Sequence, residues 1–235
     1  MNSPDASISH GRRQLLGALA PCFAQTTPIK IGIIGTGRIG SALATHWVHA
    51  GHPVLVSSRH PDQLAPLVQQ LGPLAQAGTP QQAAEFGAVV VIAVPYEAVP
   101  QLGQDLGQAL AGKIILDASN PIEPRDGAMA AEAQRKGAGV ATAEYLHSRR
   151  VVRAFNCIPA QKLATEANRR PNRIAIPIGG DDAEALRVAQ QLIRDAGFDP
   201  VVVGSLAATR QFDLGQPLAS GQLTAAELQA KIKAP

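Results

Sequence analysis

Between Ile29 and Ala50 the chain passes from a short β-branched run through Gly35-Thr36-Gly37-Arg38-Ile39-Gly40 into an apolar segment of helical period that closes at Gly51. A G-x-G-x-x-G pattern set between a strand and a helix is far more specific than the bare spacing, because each glycine has a task only in that setting. Gly35 permits the tight turn, Gly37 lets the backbone approach a pyrophosphate, and Gly40 allows the helix to pack closely on the strand. Thr36 in the turn, and Arg38 and Ile39 where free N–H groups open the helix, complete the anion cradle. An ordinary glycine turn is the plainer reading, and the agreement of strand, motif and helix argues against it.

From Ile29 onward, apolar β-branched runs alternate with longer segments of helical period, as in repeated strand–helix units around a parallel sheet. The expected fold class is α/β: a Rossmann-type, doubly wound, mostly parallel sheet with a small C-terminal extension. Strands are expected at Ile29–Ile34, Val54–Val56, Ala88–Val94, Lys113–Asp117, Val151–Phe155, Arg173–Ile178 and Pro200–Val203. Ala88–Val94 is apolar throughout, which implies burial on both faces. Aromatic residues make up only 3% against 46% hydrophobic, which suits Ala-rich helices over buried parallel strands. The expected organisation is an N-terminal segment over 1–28, a nucleotide-binding domain over 29–204, and an extension over 205–235 packed on it.

Enzymes of this type that use NAD place an acid at the end of the second strand to hold the ribose 2′-hydroxyl. Here that place holds Ser57-Ser58-Arg59. An acid would repel a 2′-phosphate, whereas hydroxyls and a guanidinium would bind and neutralise it, so NADP is the expected cofactor. The plainer reading of Arg59 is a solvated loop arginine.

Several function classes are excluded or unsupported. A formal net charge of +3 makes no case for a nucleic-acid surface. Cys22 and Cys157 suggest neither a disulfide framework nor a metal site. His46 and His49 share a helix face without a third ligand, so no metal is expected. No G-x-S-x-G nucleophile turn occurs. Gly11-Arg12-Arg13 followed by a short apolar stretch resembles a twin-arginine export signal, although Gly11 and Leu15 depart from its usual residues. Periplasmic export of the folded protein is the expectation, with a cytoplasmic protein bearing a disordered extension as the alternative. No apolar run approaches the roughly 20 residues of a membrane span.

Further motifs are Ala93-Val94-Pro95-Tyr96-Glu97, Asp117-Ala118-Ser119-Asn120-Pro121, the run from Val152 to Ala160, and Gly204-Ser205-Leu206 with Arg210. With the glycine turn and Ser57-Ser58-Arg59, they resemble those of the NADPH-dependent coenzyme F420 reductases. The chain is similar as well to the reductase domain of six-transmembrane metalloreductases. The resemblance runs from Ile29 to the C-terminus. It implies that Val94, Pro95, Tyr96 and Asn120 lie around the nicotinamide. It also implies that Pro121, Phe155, Asn156, Ile158 and Pro159 line the pocket of a ring acceptor stacked against it. Between two such rings hydride passes directly, so no catalytic acid or base is assigned. A homodimer is also implied. Archaeal members have His where Asn156 stands, and the Asn form is closer to the metalloreductase domain.

The expected activity is therefore that of an NADP-dependent oxidoreductase, moving a hydride between NADPH and a planar small-molecule redox acceptor such as coenzyme F420. A flavin or ferric-chelate reductase, with a flavin as co-substrate, is the second enzymatic reading. From another class comes an NADP-binding sensor or partner protein without turnover, which fold alone never excludes. Hydroxyacid dehydrogenases and pyrroline-carboxylate reductases share this fold but usually append a large helical domain, whereas only a short tail follows Val203.

Overall fold

The structure, a computed structural model, describes residues 27–234. The export-signal motif and Cys22 lie outside those residues. Eight strands form one sheet: β1 (Ile31–Ile34), β2 (Val54–Ser57), β3 (Ala75–Gly78), β4 (Val89–Ile92), β5 (Ile114–Asp117), β6 (Val151–Arg153), β7 (Ala175–Gly180) and β8 (Asp199–Gly204). Their order is β3-β2-β1-β4-β5-β6-β7-β8. Every neighbouring pair is parallel except β6 with β7.

Alternate residues of the central strands feed two cores. Ile31, Ile33, Val89 and Val91 meet helices α1 (Arg38–His49) and α8 (Ala183–Asp195) on one face. Ile34, Val90 and Ile92 meet α3 (Pro80–Phe86), α4 (Val99–Leu110) and α6 (Ala138–Tyr145) on the other. That double coverage is why these strands read as unbroken apolar runs. Trp47, fully buried, donates its indole N–H to the Leu192 carbonyl at 2.8 Å and so pins α1 to α8. The remaining helices are α2 (Ala65–Leu71), α5 (Glu123–Lys136), α7 (Ala160–Thr165) and α9 (Ala225–Lys233). α3 and α9 open with capping boxes, Thr79 with Gln82 and Thr224 with Glu227, each of which satisfies two end donors. Among the described residues no helix is long and apolar enough to cross a membrane.

The structure differs from the sequence reading at β3 and β6. β3 carries the sequence Ala-Gln-Ala-Gly with its middle pair exposed, a composition poor in β-formers that pairs only because β2 offers a free edge. β6 ends at Arg153 rather than Phe155, because Phe155 takes φ +62° and turns the chain out of the sheet. Gly127, at φ 62°, breaks α5 after its first turn.

Candidate functional site

β1 lies between β2 and β4, so the connections leaving its carboxyl end and that of β4 diverge to opposite faces. Such a switch point leaves a crevice where α/β sheets bind ligands. A cleft of about 410 Å³ opens there, lined by the glycine turn, Ser57, Ser58 and Arg59, and the segment from Ala93 to Ala98. Gly35 sits at φ +97°, and a Cβ on it would fall 2.5 Å from the Ala93 carbonyl oxygen, so the turn lies against the end of β4. A Cβ on Gly40 would fall 2.0 Å from the Gly35 oxygen. Gly37 differs: a Cβ there would meet nothing within 4 Å. It caps α1 without a side-chain hydrogen bond, and the first turn of that helix holds no acid. Those end N–H groups and the bare surface of Gly37 fit an oxyanion, and the cleft fits a dinucleotide.

The side chains of the first two helical residues leave the cleft, while their backbone N–H groups stay at the helix start. The exposed Arg38 side chain lines a separate groove with Ser41, Thr45 and Gln70. Ile39 packs against the core beneath α1.

At the end of β2 the hydroxyls are not equivalent. Ser57 is fully buried and donates to the Ile33 carbonyl at 2.9 Å. Its single proton is thereby committed, so a phosphate finds no donor there. Thr36 is likewise used, donating to the Ser57 carbonyl at 3.2 Å and tying the turn to β2. Ser58 accepts from the His60 N–H at 2.9 Å, which orients its oxygen and leaves its O–H to donate. Arg59 is exposed at the cleft and, among the described residues, forms no salt bridge or hydrogen bond through its guanidinium. Ser58 and Arg59, rather than all three residues, present donors.

Beyond β4, Val94 and the exposed Pro95 face the cleft. Tyr96 does not. Its ring is fully buried and its hydroxyl donates to the Ala138 carbonyl at 3.0 Å, so it serves to dock α6. Burial, with the Asp117 carboxylate nearby, pushes its phenol well above the usual range. Behind this loop, Asp126 accepts from the N–H groups of Glu97 (3.3 Å) and Ile122 (2.8 Å) and takes a two-point contact from Arg125. It thus clasps the loops after β4 and β5. Burial opposes its ionisation, but the bonds from Arg125, Ile122 and Glu97 outweigh that and hold its carboxyl below the usual range. Such a lowered group contributes stability that is complete above the unfolded value and lost as pH falls through the folded one. Asp126→Asn should cost about 1–3 kcal/mol at neutral pH and should flatten the acid limb of a thermal-melt profile below about pH 4. An unchanged acid limb would show that the clasp carries no such load.

The ends of β5 and β6 hold a buried polar network. Arg153, fully buried, donates to Asp117 (2.8 Å), the Ser119 carbonyl (3.0 Å), Asn120 Oδ1 (3.1 Å) and, through Nε, Asp213 (2.9 Å). Asp117 also accepts from Ser119 and Thr142. Asn120, half-buried, donates from Nδ2 to the Asn156 carbonyl at 2.6 Å. Asn156 donates to the Phe212 carbonyl at 3.0 Å, and its own Oδ1 is buried without a partner. The expected acceptor-pocket residues are mostly inside the fold. Phe155 stacks edge-on to Trp47 and Phe198, and Pro121, Asn156 and Ile158 are buried, whereas Pro159 is exposed. Phe155 is drawn inward because its positive φ turns the side chain toward α1 and α8. Burial pushes the Cys157 thiol up to about 12, which leaves it inert as a nucleophile.

Sequence reasoning assigned no role to Arg153, Asp213 or Asp126. A signal was present for the first: Asp117 and Arg153 close strands that are otherwise apolar, and a charge at a buried position must find a partner.

The fold and the glycine cradle are those of a Rossmann-type domain whose cleft suits a dinucleotide, and the known proteins similar to it include NADP-linked oxidoreductases. Residues 30–121 match the family model described as NADP oxidoreductase coenzyme F420-dependent. Metalloreductase STEAP3 of Rattus norvegicus is 36% identical over 188 residues, which cover 78% of this chain and 36% of that protein. The chain thus spans about a third of that relative. The F420-dependent NADP reductase of Methanothermobacter marburgensis is 28% identical over 204 residues, covering 81% of this chain and 90% of that one. The solved structure of a hypothetical protein, SMa0349 from Sinorhizobium meliloti, superposes with a TM-score of 0.72 at 29% identity, covering 86% of this chain and 98% of that one. By these matches the chain is similar to the coenzyme F420-dependent NADP reductases and to the metalloreductases.

Proposed function

We propose that the protein is an NADPH-dependent reductase of a planar ring acceptor such as coenzyme F420. The observation that carries this is the cleft itself: an open glycine cradle beside Ser58 and an Arg59 with no partner among the described residues, with no acid where an NAD enzyme needs one. In this reading the cradle and the first turn of α1 hold the pyrophosphate, and Ser58 and Arg59 hold the 2′-phosphate. When bound, the dinucleotide supplies the hydride chemistry, and the chain supplies distance, alignment and exclusion of water. Val94 and Pro95 form one wall beside the ring, and the resemblance puts Asn120, fixed at the end of β5, on its other side. The assignment of the acceptor's place to the loops after β5 and β6 rests on their position at the same end of the sheet. The ring acceptor, the homodimer and twin-arginine export belong to the proposal.

The 36% identity to a metalloreductase favours one second reading, reduction of a flavin or ferric chelate. A panel separates the two. The purified protein is given NADPH and, in turn, F420, FMN, FAD and ferric chelates, with absorbance of the reduced nicotinamide as the readout. Turnover with F420 well above that with the others is expected. Turnover confined to flavins or iron selects the second reading, and tight NADPH binding without any turnover selects a sensor.

A further inference from the structure

The end of α5 and the segment after β8 enclose a polar hollow of about 330 Å³, lined by Gln134, Arg210, Gln211, Asp213, Leu214 and Gln216. It shares no residue with the dinucleotide cleft. Two of its polar groups are committed inward. Asp213 Oδ1 accepts from Arg153 Nε at 2.9 Å and Oδ2 from the Ala138 N–H at 3.3 Å, so its negative charge is matched from within the fold. Gln134 donates from Nε2 to the Pro121 carbonyl at 3.2 Å, which ties the hollow to the loop after β5. Arg210 differs. Among the described residues its guanidinium forms no salt bridge or hydrogen bond, yet its stem is held: a Cβ on Gly137 would fall 2.6 Å from Arg210 Cγ and 3.1 Å from Cδ. The bare glycine leaves a notch in which the methylenes lie, and packing of the stem holds a charged head that would otherwise sweep through solvent. The turn that carries it, Ala207–Phe212, is anchored on either side of Arg210 by the buried Thr209 and Phe212. A seated guanidinium with unused donors, rimmed by the carboxamides of Gln211 and Gln216, suits an oxyanion. A cation would have to enter against that charge, and a neutral ligand would leave it unmatched.

We propose that this hollow is an oxyanion site in which Arg210 grips a phosphate or carboxylate borne on the side chain of the ring acceptor. Position supports the assignment: Asp213 joins the hollow to Arg153 at the end of β6, and Gln134 joins it to the loop after β5. Those two loops are the acceptor's place in the proposed function. The anion site stands on the hollow itself, whereas giving it to the acceptor rests on that reading of the loops.

FMN and riboflavin share one ring system and differ by a phosphate, as do 5-deaza-FMN and 5-deazariboflavin, so the two pairs test the site. Titration calorimetry with each, in the presence of oxidised NADP, should give the phosphorylated member a Kd about 3- to 30-fold below that of its partner, the effect of a charge-assisted contact weakened by exposure. Arg210→Gln keeps the stem but not the charge and should abolish that preference, and Arg210→Lys should retain part of it. Competition by inorganic phosphate and by glutarate identifies the head group, as the one that displaces the phosphorylated ring at the lower concentration. The anion site has its own readout. Inorganic phosphate alone should shift the backbone amide resonances of Gln211 and Asp213 saturably in the wild type and not in Arg210→Gln. Absence of those shifts in the wild type, or their persistence in Arg210→Gln, overturns the proposal. Phosphate shifts with equal affinity within each pair, or a preference that survives Arg210→Gln, overturn the assignment to the acceptor. Phosphate shifts with no binding of any of the four rings sink the ring-acceptor reading itself and leave only the anion site.

Discussion

Arg59→Ala should raise the Kd for NADPH by about 10- to 100-fold while leaving that for NADH within about threefold. A charge-assisted hydrogen bond contributes about 1.5–3 kcal/mol, and each 1.4 kcal/mol is about tenfold in affinity. The side chain is exposed, so part of that attraction is screened, and the discrimination should shrink as ionic strength rises. Arg59→Lys keeps the charge but loses the two-point grip, and should fall between wild type and alanine. The structure narrows the supporting cast: Ser57 has already spent its proton on the Ile33 carbonyl, so Ser57→Ala should act on stability rather than on cofactor choice, and Ser58→Ala should mirror Arg59→Ala in weaker form. Titration calorimetry with both dinucleotides is the measurement. Equal loss of NADPH and NADH affinity in Arg59→Ala would remove the 2′-phosphate from this end of the cleft.

The contrast between Ser57 and Ser58 marks where sequence ceases to be informative. That a hydroxyl pair and an arginine follow the second strand is visible from order alone, and so are the cradle and the alternation of strand and helix, because each is set by local chemistry: glycine at a positive φ, β-branched runs, an uncapped helix start. Which of two adjacent serines faces outward depends on where β2 ends, and a strand end is fixed by pairing with β1 and β3. The same holds for Tyr96 and Phe155. Both lie in segments whose position after a strand suggested a ligand, but their direction is decided by partners distant in sequence, Ala138 for the tyrosine and Trp47 for the phenylalanine. Asp213 is the extreme case, since its carboxylate reaches Arg153 across sixty residues. No periodicity encodes such a pair; only the charge stranded at the end of an apolar strand hints that a partner exists.

Gly37→Ala and Gly40→Ala should have opposite signatures, although both glycines belong to one motif. A methyl at position 40 would stand 2.0 Å from the Gly35 oxygen and 3.2 Å from Ile33 Cγ2, inside the contact between α1 and β1. Overpacking of that kind costs about 1–3 kcal/mol, and at roughly 2–4 °C per kcal/mol for a chain of this size the melting temperature should fall by about 3–10 °C. Position 37 has φ −69° and open space around it, so alanine is free of strain there. Its melting temperature should stay close to wild type, as the freedom lost by the unfolded chain offsets alanine's poorer fit at a helix N-cap. The same methyl, however, occupies the surface over which a pyrophosphate must approach the backbone, and lost contacts to a charged oxygen should lower NADPH affinity about 10- to 100-fold. A variant that is folded, close to wild type in stability and deficient in binding isolates the cradle from the scaffold, which no substitution at Gly35 or Gly40 can do. If Gly37→Ala binds NADPH as the wild type does, the anion lies elsewhere and the glycine turn is only a turn.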